Sequence, residues 1–421
     1  MAKSGLIVSY YFPPVGGGGV QRWTKLIKYL KNFDWKFTVI AGTPEANQPL
    51  DNSLTDDIPA GTRVIRPEVQ KSPYTTHMFS SARLRNGYWQ RWFSALIHIT
   101  DSRSAWNVYA REAILHELGH HHYDVLIISS PPYSLAELAA EFTGRLPIPV
   151  VSDLRDPWTI NPYKIHPTGF HRMRDRQKEI TTINGIKVII SAYRCILNDY
   201  TQRIPGFAEK QLLFLPNGYD EQDFSVFEEI NFKANQNFKI GFSGSIYSHL
   251  NKPDVLFAVL AELEKKEIAV EFHHLGTSVH DLKRMAARYG IEKRVIEWGY
   301  QPHRRCLAIL SRMDALCMIL DDRWRNSANT IGGKFYEYLR LKKPIIALVP
   351  ENGEAGVMIR ETDCGLAIGG RDTGRIARQL EGLIAGEYRF SWQGINQYSR
   401  QNQAAVLNRF LTGLIQVKAP R

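Results

Sequence analysis

The sequence gathers its chemistry-bearing residues where apolar runs give way to amphipathic stretches. The first apolar run ends in Tyr11-Phe12-Pro13-Pro14, and Val15-Gly16-Gly17-Gly18-Gly19 follows. A helix is predicted from about Val20, with Trp23, Leu26, Ile27 and Leu30 on one face. Glycines at a strand-to-helix turn let backbone N–H groups approach an anion, and the helix N-terminus adds positive potential. This is not the dinucleotide fingerprint, because Gln21 stands where its third glycine belongs. It is not a Walker loop, because no Gly-Lys-Ser/Thr follows. Four consecutive glycines cost backbone entropy, so a ligand-facing loop is expected rather than a plain tight turn.

A second junction of this kind follows the run Lys239–Ser243. Gly244-Ser245-Ile246-Tyr247 leads to a helix near Pro253, a residue suited to the first helical turn. Lys252 precedes it, where its ammonium could meet a phosphate held at that helix end; a solvated surface lysine is the plainer alternative. One helix end contributes only about 0.3–1 kcal/mol to anion binding, so the lysine and several backbone donors are needed together. Further on, Gly332-Gly333-Lys334-Phe335-Tyr336-Glu337-Tyr338-Leu339 places Lys334 and Glu337 one helical turn apart. Lys343-Pro344-Ile345-Ile346-Ala347 then reads as a buried strand, and Glu351-Asn352-Gly353-Glu354-Ala355-Gly356 as a glycine-rich loop. A carboxylate at Glu337 can accept both hydrogen bonds of a ribose diol; an intrahelical pair with Lys334 is the alternative.

Ser152-Asp153-Leu154-Arg155-Asp156-Pro157-Trp158 follows another apolar run, and the ends of parallel strands are where open α/β sheets hold ligands. Asp153 or Asp156 could orient an acceptor hydroxyl or take its proton, with Arg155 keeping the carboxylate ionised. An internal Asp–Arg brace is the alternative. Ser129-Ser130-Pro131-Pro132-Tyr133 ends the preceding run and is expected to line the same place. His116-Glu117-Leu118-Gly119-His120, with His121 and His122 behind it, matches the H-E-x-x-H zinc-peptidase pattern. Gly119, however, reads as a helix C-cap with the histidines just beyond, where they suit the negative helix end. A catalytic zinc also needs a third ligand, for which Glu137 and Glu141 are only approximate; no metal site is expected.

The elements that must position these groups are an alternation of short β-branched runs with helix-length segments. One series comprises Leu6–Tyr10, Phe37–Ala41, Val64–Arg66, Val125–Ser129, Val150–Ser152 and Val188–Ser191. Another comprises Lys239–Ser243, Val270–His274, Val295–Trp298, Ala315–Ile319, Pro344–Leu348 and Leu366–Ile368. Such alternation predicts an α/β fold with parallel sheets and crossover helices, and two series predict two doubly wound Rossmann-like domains. The expected boundaries are an N-terminal domain over 1–220, a linker over 221–237, a C-terminal domain over 238–394 and a terminal helix over 395–421. That last helix carries Val406, Phe410, Leu411 and Leu414 at helical spacing and must dock somewhere.

A length of 421 residues exceeds one ordinary core. No run reaches the roughly 18 apolar residues of a membrane span, and no secretory signal is expected at the start. Four scattered cysteines form no zinc spacing, which fits a reducing, cytoplasmic setting. The net charge of +11 invites anionic partners. Residues 63–112 hold eight Lys or Arg, namely Arg63, Arg66, Lys71, Arg83, Arg85, Arg91, Arg103 and Arg111, against three acids. Within that stretch Trp89, Trp92, Phe93, Leu96 and Ile97 form a broad apolar face that suits either an anionic membrane interface or packing on the sheet. No nucleic-acid-binding module is present.

Taken in order, the Gly-rich first loop, Leu215-Pro216-Asn217-Gly218-Tyr219-Asp220, Gly241-Phe242-Ser243-Gly244-Ser245 and the segment from Lys334 to Ile346 resemble the family-4 class of retaining GT-B glycosyltransferases. The nearest flavour is that of bacterial cell-surface polysaccharide assembly. The resemblance implies two domains facing across a cleft, a nucleoside-diphosphate sugar as donor, retention of configuration and no metal or other cofactor. It implies that Glu337 holds the ribose, that Lys252 binds the diphosphate, and that Gly17 and Gly18 approach the phosphate and sugar. Gly244, Ser245, Lys334, Gly353 and Glu354 complete the expected donor site, with Lys252 and Lys334 also catalytic beside Asp153 and Asp156. Gly16, Ser130, Arg155 and Trp158 are the expected acceptor residues. Ser245 stands where the family carries Arg, and Asn329 where it carries Glu; Lys334, Arg323 or Arg325 could supply the missing cation. The expected acceptor is a saccharide or polyprenyl-linked saccharide, and the expected location is cytoplasmic, at the inner face of the membrane. A non-catalytic sugar-nucleotide-binding protein is the alternative reading.

Overall fold

A computed structural model describes residues 2–45, 48, 50–68, 88–225, 227, 229–230, 236–246 and 249–418. Lys71, Arg83, Arg85, Tyr247, the side chain of Trp89 and much of the expected linker lie outside these residues. The chain divides into two compact units, Met1–Asn217 with Arg400–Arg421, and Gly218–Ser399.

The first unit is built on a parallel sheet of seven strands in the order β3-β2-β1-β4-β5-β6-β7. Its strands are β1 (Lys3–Ser9), β2 (Trp35–Ile40), β3 (Arg63–Ile65), β4 (Val125–Ser130), β5 (Val150–Leu154), β6 (Val188–Ser191) and β7 (Gln211–Phe214). Its helices are α1 (Gly18–Leu30), α2 (Tyr88–Ile97), α3 (Trp106–His120), α4 (Leu135–Phe142), α5 (Gly169–Gly185) and α6 (Arg194–Arg203). Every residue of β4, β5 and β6 is buried, as expected where helices cover both faces of a parallel sheet. The strand order reverses between β1 and β4, so the Gly-rich loop after β1 opens at the topological switch point, where such sheets hold ligands.

The second unit repeats the plan with a parallel sheet of six strands in the order β10-β9-β8-β11-β12-β13. The strands are β8 (Phe238–Ser243), β9 (Val270–Leu275), β10 (Val295–Gly299), β11 (Ala315–Ile319), β12 (Ile345–Leu348) and β13 (Gly365–Ile368). The helices are α7 (Asp254–Glu264), α8 (Leu282–Ala287), α9 (His303–Ser311), α10 (Lys334–Leu341), α11 (Glu354–Thr362) and α12 (Thr373–Ile384). Its switch point lies between β8 and β11.

Three features depart from the sequence reading. The terminal helix α13 (Arg400–Lys418) is part of the first unit. Its Leu407, Leu411 and Leu414 share a core with Trp23, Leu26, Ile27 and Leu30 of α1, while Val406 and Phe410 stay partly buried at the edge. The start of the expected linker is ordered, with Glu221–Phe224 forming a 3₁₀ turn in the second unit. Finally, α3 runs through Gly119 to His120, so Gly119 is not the helix cap. Its carbonyl-side neighbours still close normal helical bonds, including His121 N–H to Glu117 O at 2.9 Å.

Candidate active site

In the second unit the loops at the carboxyl ends of the strands are packed backbone to backbone. Gly244 has φ +131°, and its N–H donates to Leu275 O at 2.9 Å. A Cβ on Gly276 would lie 2.3 Å from Gly244 O, so a side chain there would force the two loops apart. Ser245 is exposed, and its Oγ shares a hydrogen bond of 2.9 Å with Thr277 Oγ1. Gly353 faces the 3₁₀ turn Ser327–Asn329, where a Cβ would come within 2.7 Å of Ala328 Cα. That close approach brings the turn holding Asn329 beside the N-terminus of α11, whose first residue is Glu354.

Lys334 opens α10 and Glu337 lies in its first turn. Their charges meet at 3.1 Å between Nζ and Oε2, with Glu337 almost fully buried and Lys334 about a third exposed, at 36 %. Burial opposes the Lys334 charge, but Glu337 and then Cys306 outweigh it and raise its pKa. Behind the pair, His303 Nε2 lies 3.3 Å from Asp223 Oδ2, and its Nδ1 lies 3.9 Å from Glu337 Oε1. The hydroxyl of Tyr338, next in α10, accepts from Ser243 N–H at 2.7 Å and fastens α10 to the end of β8. Lys252 lines a separate, narrow recess with Leu320, Asp321, Asp322, Gly370 and Arg371, at the ends of β11 and β13. Arg323 is turned back on Asp321, at 2.7 Å. Of the expected donor residues, Lys334 and Glu337 thus meet on α10 while Lys252 lies in the separate recess; not among them were His303 and Asp223, which approach Glu337 from α9 and a 3₁₀ turn, and Tyr338 of α10 itself.

In the first unit Gly17 caps α1 with φ +111° and ψ 161°, a conformation that L side chains rarely adopt. Gly17, Gly18 and Gly19 are exposed, while Gly16 is half-buried. Arg155 is buried and gives its guanidinium to three carbonyls: Gly19 O, Pro131 O at 2.6 Å and Ser130 O at 3.4 Å. It pins the Gly-rich loop to the loop after β4 and is not free for an acceptor. Burial lowers its pKa, against the charges of Asp153 and Asp156.

The expected role of Asp153 is corrected. Its carboxylate is fully buried and accepts from Arg22 at 2.8 Å, Trp23 Nε1 at 2.8 Å and Ser129 Oγ at 2.7 Å. It braces α1 and β4 against β5, and its arginine is Arg22 rather than Arg155. Trp158 is corrected too: it is 1 % exposed, donates to Asp175 at 2.9 Å and stacks on Tyr133. Ser130 is equally buried, and its Oγ has no hydrogen-bond partner. Asp156 is different. It is half-buried beside Tyr193, and burial pushes its carboxyl up to about 6 against the charges of Arg155 and Arg22. That value suits proton transfer near neutrality.

The histidine motif makes no metal centre among the described residues. His116 and His120 do share the helix and stack at 4.3 Å. His120 Nδ1, however, is bonded to His116 O at 2.8 Å. Glu117, which would be the general base, is buried against Tyr123 Oη at 2.6 Å and Arg63 at 3.1 Å. It belongs to the packing of α3.

Two parallel, doubly wound units in one chain with glycine loops at their switch points are the GT-B architecture. Solved structures of that fold match nearly end to end. Sucrose-phosphate synthase from Thermosynechococcus elongatus aligns with TM-score 0.64 at 12 % identity, over 99 % of this chain and 98 % of that one. HepE from Anabaena, in complex with UDP and glucose, aligns with TM-score 0.59 at 14 % identity, over 99 % and 98 %. The lipopolysaccharide outer core galactosyltransferase WaaB aligns with TM-score 0.60 at 14 % identity, over 98 % and 99 %. No match is found among curated protein sequences. Residues 237–386, most of the second unit, match the family model described as glycosyl transferases group 1. That match lies within the second unit and spans 150 of the chain's 421 residues.

Proposed function

We propose that the protein is a retaining glycosyltransferase that moves a sugar from a nucleoside-diphosphate sugar to a saccharide or lipid-linked saccharide in cell-surface polysaccharide synthesis. The observation that carries the donor half is the Lys334–Glu337 pair on the first turn of α10, inside the segment that matches the group 1 model. Glu337 accepts the ribose hydroxyls. Lys334 and Lys252 meet the diphosphate charge, and the backbone at Gly244, Ser245, Gly353 and Glu354 supplies further donors. These cations stabilise the departing diphosphate without a metal ion. HepE was solved with UDP and glucose, which makes UDP the first nucleotide to try. On the acceptor side Gly16, Gly17 and Gly18 present backbone N–H groups, and Asp156 takes the proton of the attacking hydroxyl.

The setting we propose is the anionic face of a membrane. Among the described residues no helix is long and apolar enough to cross one. Phe93 and Ile97 of α2 are 53 % and 57 % exposed, one turn apart, and Phe170 and Met173 of α5 are 59 % and 58 % exposed. The two helices touch where His171 Nε2 meets Leu96 O at 3.2 Å. Around these apolar groups Arg91, Arg172, Arg174 and Arg176 are exposed. The acids of α5 turn inward, Asp175 to Trp158, His166 and Lys164, and Glu179 to Thr159, Tyr200 and Arg203. Exposed apolar side chains among arginines without acids suit an anionic interface.

The test of the donor half is calorimetric titration with UDP, GDP, ADP, CMP and TDP in excess chelator. Binding of one nucleotide is expected, and Glu337→Gln is expected to weaken it about 10- to 100-fold, the worth of a hydrogen bond to a charged group. No binding of any nucleotide, or binding unaffected by Glu337→Gln and Lys334→Ala, would overturn the assignment.

A further inference from the structure

A deep recess of the first unit, among the described residues, contains none of the expected acceptor residues. It is an open cavity of about 1010 Å³, solvent mouth included. Helix α2 forms one wall, and the loops after β4 and β5 supply Tyr133, Asn161, Tyr163 and Lys164. Arg91, Ser94, Ala95 and His98 face it at helical spacing, while Phe93 and Ile97 on the other face of α2 are exposed. One helix thus has a cavity face and an apolar outer face.

The polar groups of the wall are unevenly satisfied. Thr100 is only 6 % exposed, yet its Oγ1 has no hydrogen-bond partner, an arrangement that costs free energy unless something fills the need. Lys164 spends two of its three donors, on Asp175 at 2.8 Å and Thr100 O at 2.8 Å. Tyr133 Oη accepts from Asn161 Nδ2 at 2.9 Å and keeps its own proton to give. Burial, with the charge of Asp156 next, holds that phenol well above its ordinary pKa, so it stays a donor. The one acid of the lining, Asp101, is engaged by Ser134 N–H at 2.8 Å, Ser134 Oγ at 3.0 Å and Arg103 N–H at 2.9 Å. Arg91 gives one of its five donors to Tyr163 O at 2.5 Å, and what remains for a ligand is its other donors with those of Lys164, Thr100 and Tyr133, over an apolar floor of Ala95, Ile99 and Ile165.

We infer that this cavity binds the phosphate-bearing end of a sugar acceptor, with Arg91, Lys164, Thr100 and Tyr133 as its donors. The inference deepens the glycosyltransferase reading and rests on it for the word acceptor. The phosphate can come from a soluble sugar phosphate or from a lipid diphosphate whose tail leaves along the Phe93–Ile97 face. Either source presents anionic oxygens to Arg91 and Lys164, and their hydrogen bonds are the strong, charge-assisted kind.

The experiment is calorimetric titration of the full chain, saturated with whichever nucleotide binds, by glucose 6-phosphate, farnesyl diphosphate and glucose. Saturation keeps the phosphate probes out of the donor site. Binding of glucose 6-phosphate alone assigns a sugar phosphate, and binding of farnesyl diphosphate alone or of both assigns the lipid source; glucose is expected not to bind. Arg91→Gln is expected to weaken the bound probe at least 10-fold and Thr100→Val about 3- to 10-fold, with the nucleotide affinity unchanged in both. Arg91 is exposed, so its replacement leaves the fold intact and keeps the test decisive if Thr100→Val misfolds. Equal affinity in wild type and Arg91→Gln, or no binding of either phosphate probe, overturns the inference. If no nucleotide binds at all, the donor reading fails instead, and the same probes titrated alone still decide the cavity.

Discussion

Arg22 Nη2 lies 2.8 Å from Asp153 Oδ1, with the two side chains 1 % and 0 % exposed. The same arginine donates to Pro216 O at 3.1 Å, so one guanidinium joins α1 to β5 and to the point where the chain first leaves the first unit. A buried pair is strongly destabilising to break, because the surviving charge is left unpaired. Asp153→Ala is therefore expected to cost about 3–5 kcal/mol, read as a fall in the denaturant midpoint. A loss below about 1 kcal/mol would show that the brace is dispensable and would return Asp153 to the list of functional groups.

Asp156, three residues on, is expected to behave in the opposite way. Its carboxyl is raised from 3.8 to about 6 in the folded protein. Between those values the folded protein holds a proton that the unfolded chain has released. Its contribution to stability therefore falls as pH rises from about 4 to about 6. As a proton acceptor it works in the ionised form, so turnover should rise with pH through a midpoint near 6. Asp156→Asn should abolish that rising limb while leaving the fold in place. A rising limb that survives the substitution would assign the proton transfer elsewhere.

These two aspartates mark the limit of what the sequence made legible. Two doubly wound units could be read from the alternation of runs such as Val125–Ser129 and Ala315–Ile319 with helical segments, because the apolar pattern of a strand is local. Lys334 and Glu337 were legible for the same reason, lying one turn apart on one helix. The partner of Asp153 was not, since Arg155 is its neighbour in sequence but Arg22 is its neighbour in space. His303 and Asp223 reach Glu337 from α9 and from a 3₁₀ turn, with no spacing to announce them. Gly119 misled because a glycine near a helix end usually stops it; here the helix continues through it to His120. The edge strand β7 was missed because Gln211–Phe214 is short and runs straight into a turn.

Gly17 and Gly18 offer a direct test of whether the first loop faces a ligand. A Cβ at either would meet nothing within 4 Å. Only Gly17 has a positive φ, at +111°. Gly17→Ala is expected to destabilise by about 1–3 kcal/mol through backbone strain. Gly18→Ala, at the first position of α1, is expected to be neutral or to stabilise by up to about 1 kcal/mol. If the Gly18 backbone touches substrate, Gly18→Ala lowers turnover at least 10-fold without lowering the melting temperature. Unchanged turnover would reduce the loop to a turn.

The arginines of α5 separate membrane attraction from ordinary solubility. Arg172, Arg174 and Arg176 are all exposed. Among the described residues their side chains make no hydrogen bond or ion pair, whereas Asp175 between them is buried and held by Lys164 and His166. Each basic side chain near an anionic surface contributes about 1 kcal/mol, so replacing all three by serine should remove about 3 kcal/mol, a loss of more than 100-fold in vesicle affinity. The attraction is screened, so wild-type binding to phosphatidylserine vesicles should fall steeply between 0.05 and 0.5 M salt, given a Debye length of about 10 Å at 0.1 M. Phe93→Ser with Phe170→Ser should weaken binding at every salt concentration instead, because the apolar contribution is not screened. Vesicle co-sedimentation reads all of these. Equal sedimentation of wild type and the triple variant at low salt would assign the basic face to another partner, and the exposed phenylalanines would then need one too.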